Sequence, residues 1–135
     1  MQIAATVVSA AGRHEVSVRT GQAAKSLPVP AREGAPGSGI NGGEFLMLAL
    51  ATCYCNDLYR EASRLGIPID GAEVEAFAEF PGIGLAARNI AYRAKVHSPA
   101  PAQDIERLLR ETDAVAEVHN TVRSGVPVQL VAVDG

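Results

Sequence analysis

Two cysteines, Cys53 and Cys55, lie in the stretch Glu44 to Leu65, EFLMLALATCYCNDLYREASRL, and they are the only thiols of the 135-residue chain. Thiols support three kinds of chemistry: a reversible disulfide, metal ligation, or attack by a single thiolate. The residues before Cys53 are apolar on every side, which predicts a helix that sits inside the molecule. On a helix, residues two apart lie about 200° apart around the axis, so the two thiols do not face each other. A bridge needs a short Cβ separation, and this geometry argues against a dithiol couple. It also argues against a C-x-C chelate completed by His14, His97 or His119, and no metal site is expected. A single reactive thiolate needs a nearby cation or hydrogen-bond donors, because burial alone raises its pKa. Arg13, Arg32, Arg60 and Arg64 are the available cations, and periodicity does not choose among them. A thiol can also serve simply as a small buried hydrophobe, the reading that suits Cys55.

The elements that would position these groups are legible in outline. Residues 2–9 and 14–19 alternate as two short strands, with Arg13 in the turn between them. Ala24 to Val29 reads as a third strand, stopped by Pro28 and Pro30. Gly37, Gly39 and Gly42 then match G-x-G-x-x-G before the helix. A dinucleotide fingerprint requires a buried parallel strand ahead of the glycines, and LPVPAREGAP is not one. No cofactor is expected. The helix should end at Gly66, with Arg60 and Arg64 in its last turns. Asp70 to Phe80 and Arg88 to Ser98 alternate as a long antiparallel hairpin. A helix follows Pro99 and Pro101, and another runs from about Val115 to Arg123. Val128, Leu130, Ala132 and Val133 suggest a last strand. Strands grouped apart from helices predict an α+β fold in one domain over residues 1–135.

Composition narrows the function. Hydrophobic residues at 47%, charged residues at 20% and a formal charge of −3 give no basic field, and Trp is absent, so nucleic acid is not an expected partner. The N-terminus lacks a basic n-region and the longest apolar run, Phe45 to Ala51, is too short for a membrane span. Two cysteines so close together make no disulfide framework, and a cytoplasmic protein with no membrane partner is expected.

A Gly-rich loop entering a long apolar helix with a cysteine about ten residues in, GSGINGGEFLMLALATCYC, resembles the OsmC/Ohr family of osmotically induced and organic hydroperoxide resistance proteins. The order of elements resembles that family along the whole chain. The resemblance implies an intertwined homodimer with a long buried central helix and active sites at the subunit interface. It implies that Cys53 attacks a peroxide oxygen and becomes a sulfenic acid, that Arg13 in AAGRHE stabilises the thiolate, and that a helix glutamate holds the arginine. The family's glutamate position falls on Gly43, so Glu44, one residue later, is the candidate here. On an ideal helix that slip turns Glu44 away from Cys53, and a frayed first turn would bring it back. DAVAEVHNTV matches the family's second-cysteine motif with Ala116 where the resolving cysteine would stand. The expected function is thus a one-cysteine thiol peroxidase acting on a small organic hydroperoxide, reduced by an external thiol. The alternative is a non-enzymatic dimeric protein that keeps the fold and binds a small hydrophobic ligand.

Overall fold

The computed structural model describes residues 1–133. The elements run β1 Ile3–Ala10, β2 Arg13–Thr20, β3 Ala23–Leu27, α1 Gly42–Leu65, β4 Gly71–Glu79, β5 Arg88–His97, α2 Ala102–Val115 and α3 Glu117–Arg123. This is an α+β chain with antiparallel sheets, as its pattern predicts. Contacts divide it into two compact units, one of Met1–Phe45 and one beginning at Leu46.

In the first unit β1, β2 and β3 form an antiparallel meander in chain order. Ala10 pairs with Arg13 across a turn closed by Gly12, whose φ of +70° favours a residue without Cβ. Arg13 therefore opens β2 instead of lying in the turn. The segment after β3 folds back on itself through an isolated bridge between Ala31 and Ser38. There the Gly39 amide donates to the Pro30 carbonyl at 2.8 Å. A Cβ at Gly39 would come within 3.0 Å of that oxygen, so a close backbone approach accounts for this glycine. The strand before the loop, β3, pairs antiparallel with β2.

Helix α1 is closed at each end by its own sequence. Asn41 Oδ1 accepts from the Glu44 amide at 2.8 Å, and Glu44 Oε1 accepts from the Asn41 amide at 3.0 Å. This reciprocal pair is a capping box with Asn41 as N-cap. At the other end Gly66 takes φ +69°; its amide donates to Ser63 and the Ile67 amide donates to Ala62 at 2.9 Å. Those two bonds form a Schellman motif. The sequence therefore places both the start and the stop of α1 within two residues.

In the second unit Tyr54, Leu58, Ala62, Ile67, Leu108 and Ala116 form the buried core. Ala72 and Val74 of β4 and Tyr92, Ala94 and Val96 of β5 pack on it from one sheet face. The opposite face carries the salt-bridged pair Glu75–Arg93 and the hydrogen-bonded pair Glu73–His97. The Tyr54 hydroxyl donates to the Leu109 carbonyl at 2.7 Å, tying α1 to α2. A single residue, Ala116, separates α2 from α3 with an extended ψ of 107°.

One expectation needs correction, and another is met on one side only. Within a single chain the apolar helix, expected to lie buried in an intertwined dimer, leaves Leu48 55% and Tyr59 49% exposed. Its buried residues, Leu50, Tyr54, Asp57, Leu58, Glu61 and Ala62, form one stripe, which carries Tyr54, Leu58 and Ala62 into the core of the second unit. The expected last strand is also absent: Val128 and Leu130 lie in extended chain at 98% and 103% exposure. A strand needs a neighbour to satisfy its backbone groups, and among the described residues none pairs with this segment. No helix among the described residues is long and apolar enough to cross a membrane.

Candidate functional site

Cys53 lies near the middle of α1, half-buried and free, as is Cys55. Its thiol meets two carboxylates. Sγ stands 3.7 Å from Asp57 Oδ2 and 3.8 Å from Glu117 Oε2. Asp57 follows Cys53 by one helical turn and so shares its face. Glu117 opens α3, and the break at the fully buried Ala116 turns that helix so that its first side chain reaches α1.

Arg60 is the cation of this cluster. Its guanidinium lies 3.1 Å from Asp57, 3.3 Å from Glu61 and 3.5 Å from Glu117. Arg64 is engaged one turn further on, by Glu61 at 2.9 Å and Glu111 at 3.1 Å. Arg60 thus meets the two carboxylates that flank the thiol.

Electrostatics follow from this arrangement. Burial, and then the charges of Asp57 and Glu117, push the Cys53 thiol above its ordinary value, while the Val118 backbone N–H works in the opposite direction. Burial and the Glu117 charge likewise raise Asp57, with Arg60 opposing them. Glu117 is held down, first by its own backbone N–H and then by hydrogen bonding from Asp57. Within the chain, the surroundings of Cys53 thus favour its thiol over its thiolate.

Cys53, Asp57 and Glu117 each offer one ligand atom, all within 4.8 Å of one another, and could together hold a cation. None of the three histidines weighed from the sequence belongs to this group. Arg60 is ion-paired with both carboxylates and offsets one of their two charges, and a thiol ligates a metal only after losing its proton.

The other sequence candidates lie in the first unit. Arg13 is ion-paired with Glu15 at 3.0 Å and lines a cavity of about 790 Å³ together with His14 and Arg32. Glu44 serves the capping box through Oε1. In the second unit a cavity of about 320 Å³ is lined by Leu50, Ile90, Tyr92, His119, Val122 and Arg123 among others. His119 is 3% exposed, neither ring nitrogen has a hydrogen-bond partner, and its ring meets that of Tyr92 edge-on at 4.5 Å.

Residues 35–131 match the family model described as OsmC-like protein. The chain belongs to the OsmC family. The fold agrees with solved members. An OsmC-like protein from Mycoplasma pneumoniae is 20% identical, with 91% of this chain and 88% of that one covered and a TM-score of 0.67. The organic hydroperoxide resistance protein OsmC from Legionella pneumophila is 15% identical, with coverage of 91% and 90% and a TM-score of 0.62. An organic hydroperoxide resistance protein from Elizabethkingia anophelis, bound to thiocyanate, is 16% identical, with coverage of 91% and 89% and a TM-score of 0.54. No curated protein matches the sequence.

In this OsmC-family chain the sequence reading missed both carboxylates beside Cys53. Asp57 was available from the i, i+4 spacing alone. Glu117 was one residue beyond Ala116, the position that the family resemblance had already singled out.

Proposed function

We propose that this OsmC-family protein is a thiol peroxidase in which Cys53 reduces small organic hydroperoxides and an external thiol regenerates the enzyme. The observation that carries this reading is a free, half-buried cysteine at the middle of α1, in a chain whose family includes proteins named for organic hydroperoxide resistance. Cys53 attacks the terminal peroxide oxygen, and the alcohol leaves. Ala116 supplies no resolving thiol, so the sulfenic acid is reduced by a small dithiol or protein thiol from outside. The cavity lined by Leu50, Ile90 and Val122 offers apolar surface to the hydrocarbon part of such a substrate.

The proposed working form is a cytoplasmic, intertwined homodimer. The exposed apolar residues Leu48 and Tyr59 of α1 and the unpaired segment Val128–Val133 are surfaces that a second copy would cover. In that form Arg13 stabilises the developing thiolate and orients the peroxide, and Glu44 offers the carboxylate oxygen that its cap leaves free. Peroxide consumption with dithiothreitol, wild type against Cys53→Ser, tests the activity. Equal rates in the two proteins would sink it, and a monomer in sedimentation equilibrium at micromolar concentration would sink the dimer.

One observation favours a second reading, a non-enzymatic ligand-binding protein. The surroundings of Cys53 within the chain raise its pKa where a reactive thiolate needs it lowered. That reading predicts binding of a small apolar ligand without any loss of free thiol on exposure to hydroperoxide.

A further inference from the structure

The peroxidase reading leaves a proton unassigned. A thiol held neutral is a poor nucleophile, and its proton must go somewhere as sulfur attacks. An alkoxide leaving from the peroxide needs one in return. Beside Cys53 the chain places acceptors on two separate elements, Asp57 at 3.7 Å from α1 and Glu117 at 3.8 Å from α3.

We propose that Asp57 and Glu117 act as a proton-sharing carboxylate pair that takes the Cys53 thiol proton during attack and returns it to the departing alkoxide. This rests on the peroxidase reading and deepens it, and it gives catalytic roles to two residues outside the trio of Cys53, Arg13 and Glu44. The step balances. A sulfur lone pair forms the S–O bond to the terminal peroxide oxygen and the O–O bond breaks. Sulfur is oxidised by two electrons and the organic hydroperoxide is reduced. The thiol proton passes through the carboxylates to the alkoxide, leaving a sulfenic acid and an alcohol.

The two carboxylates differ in a way that suits a relay. Both carboxylates reach the sulfur, but the Asp57 side chain is 8% exposed and that of Glu117 is 68% exposed, so the inner group is shielded from water and the outer group exchanges protons with it. Two carboxyl groups in one site cannot both ionise easily, so a proton is readily shared between them. Burial together with the Glu117 charge favours its residence on Asp57, and Glu117 stays ionised. The other charged or polar groups facing the pair are Arg60 and, through it, Glu61 on α1, and the Val118 backbone N–H on α3. Arg60 offsets one charge of the pair without itself accepting a proton.

Glu117→Gln separates this role from simple repulsion, because the two predict opposite signs. Glu117 is exposed and the change is isosteric. In a Cys55→Ser background, single-turnover oxidation of Cys53 by cumene hydroperoxide is followed by mass spectrometry across pH 5–9, beside iodoacetamide alkylation over the same range. General acid–base assistance is worth roughly 10²–10⁴-fold, and Asp57 remains, so about a tenfold or larger fall in oxidation rate is expected, with loss of the acid limb of the pH profile. The alkylation midpoint should shift to lower pH, since a negative neighbour is gone. Oxidation of Glu117→Gln as fast as wild type or faster overturns the relay and leaves the peroxidase reading standing. A slower rate with an unchanged or raised alkylation midpoint also overturns it. No oxidation of wild-type Cys53 overturns the peroxidase reading itself, and the relay with it.

Discussion

Replacing Glu44 separates two roles that fall on one carboxylate. Its Oε1 accepts the Asn41 amide at 3.0 Å while Asn41 Oδ1 accepts the Glu44 amide at 2.8 Å. Glu44→Ala removes one exposed hydrogen bond, worth about 0.5–1 kcal/mol, and a charge–dipole contribution of about 0.3 kcal/mol in moderate salt. Glu44→Gln keeps the bond, because an amide oxygen also closes a capping box, and loses only the second contribution. At about 2.1 cal/mol/K per residue, unfolding 135 residues carries an entropy near 280 cal/mol/K, so 1 kcal/mol shifts Tm by about 3.5 °C. Glu44→Ala should therefore melt about 3–4 °C below wild type and Glu44→Gln only about 1 °C below, by calorimetry at equal protein concentration. Asn41→Ala should cost about as much as Glu44→Ala, and the double variant less than their sum, because each residue supports the other's bond. Equal losses for Glu44→Ala and Glu44→Gln would refute the cap and assign the stability to charge alone. A Glu44→Gln protein that melts normally but consumes no hydroperoxide would place the carboxylate in the chemistry.

Other consequences are as direct. Asp57→Asn should lower the pH midpoint of Cys53 alkylation, because it removes a carboxylate 3.7 Å from sulfur; an unmoved midpoint would mean that burial alone sets the thiol. Leu108 is 0% exposed in the core, so Leu108→Ala should cost about 2–5 kcal/mol in urea unfolding, and a loss under about 1 kcal/mol would place it outside the core. Burial lowers the His119 pKa, so as pH falls below about 6.5 the unfolded chain takes up a proton that the folded one refuses, and stability drops with pH. His119→Phe should flatten that decline between pH 6.5 and 5, and parallel curves for the two proteins would refute it.

Local chemistry explains which parts of the fold the sequence disclosed. The boundaries of α1 follow from Asn41, Glu44 and Gly66, residues that act within one turn of their own position. The β4–β5 hairpin follows from strict alternation against acidic neighbours. The exposure of Leu48 and Tyr59 was not legible, because periodicity records that a residue is apolar and not whether a layer exists to cover it. The segment from Val128 likewise has strand composition without a strand, since pairing depends on a neighbour that composition does not specify. At the site, Cys53 stood out by residue type and by resemblance. The partners of its sulfur did not, because Glu117 reaches it only through the kink at Ala116, across 64 residues of chain.

The two closures of α1 also bear on time. Fraying enters a helix from its ends, and here both ends are hydrogen-bonded shut, with Cys53 roughly midway along 24 residues. The amides around the thiol belong among the slowest to exchange with deuterium. Helix α3 has seven residues, opens at Ala116 without a side-chain cap and ends at Arg123, so its opening is far less costly. Sulfur is therefore the stationary partner and the Glu117 carboxylate the mobile one. The interval during which they touch is set by how often a short helix loosens, and cooling or viscous solvent should reach the thiol through α3 before α1.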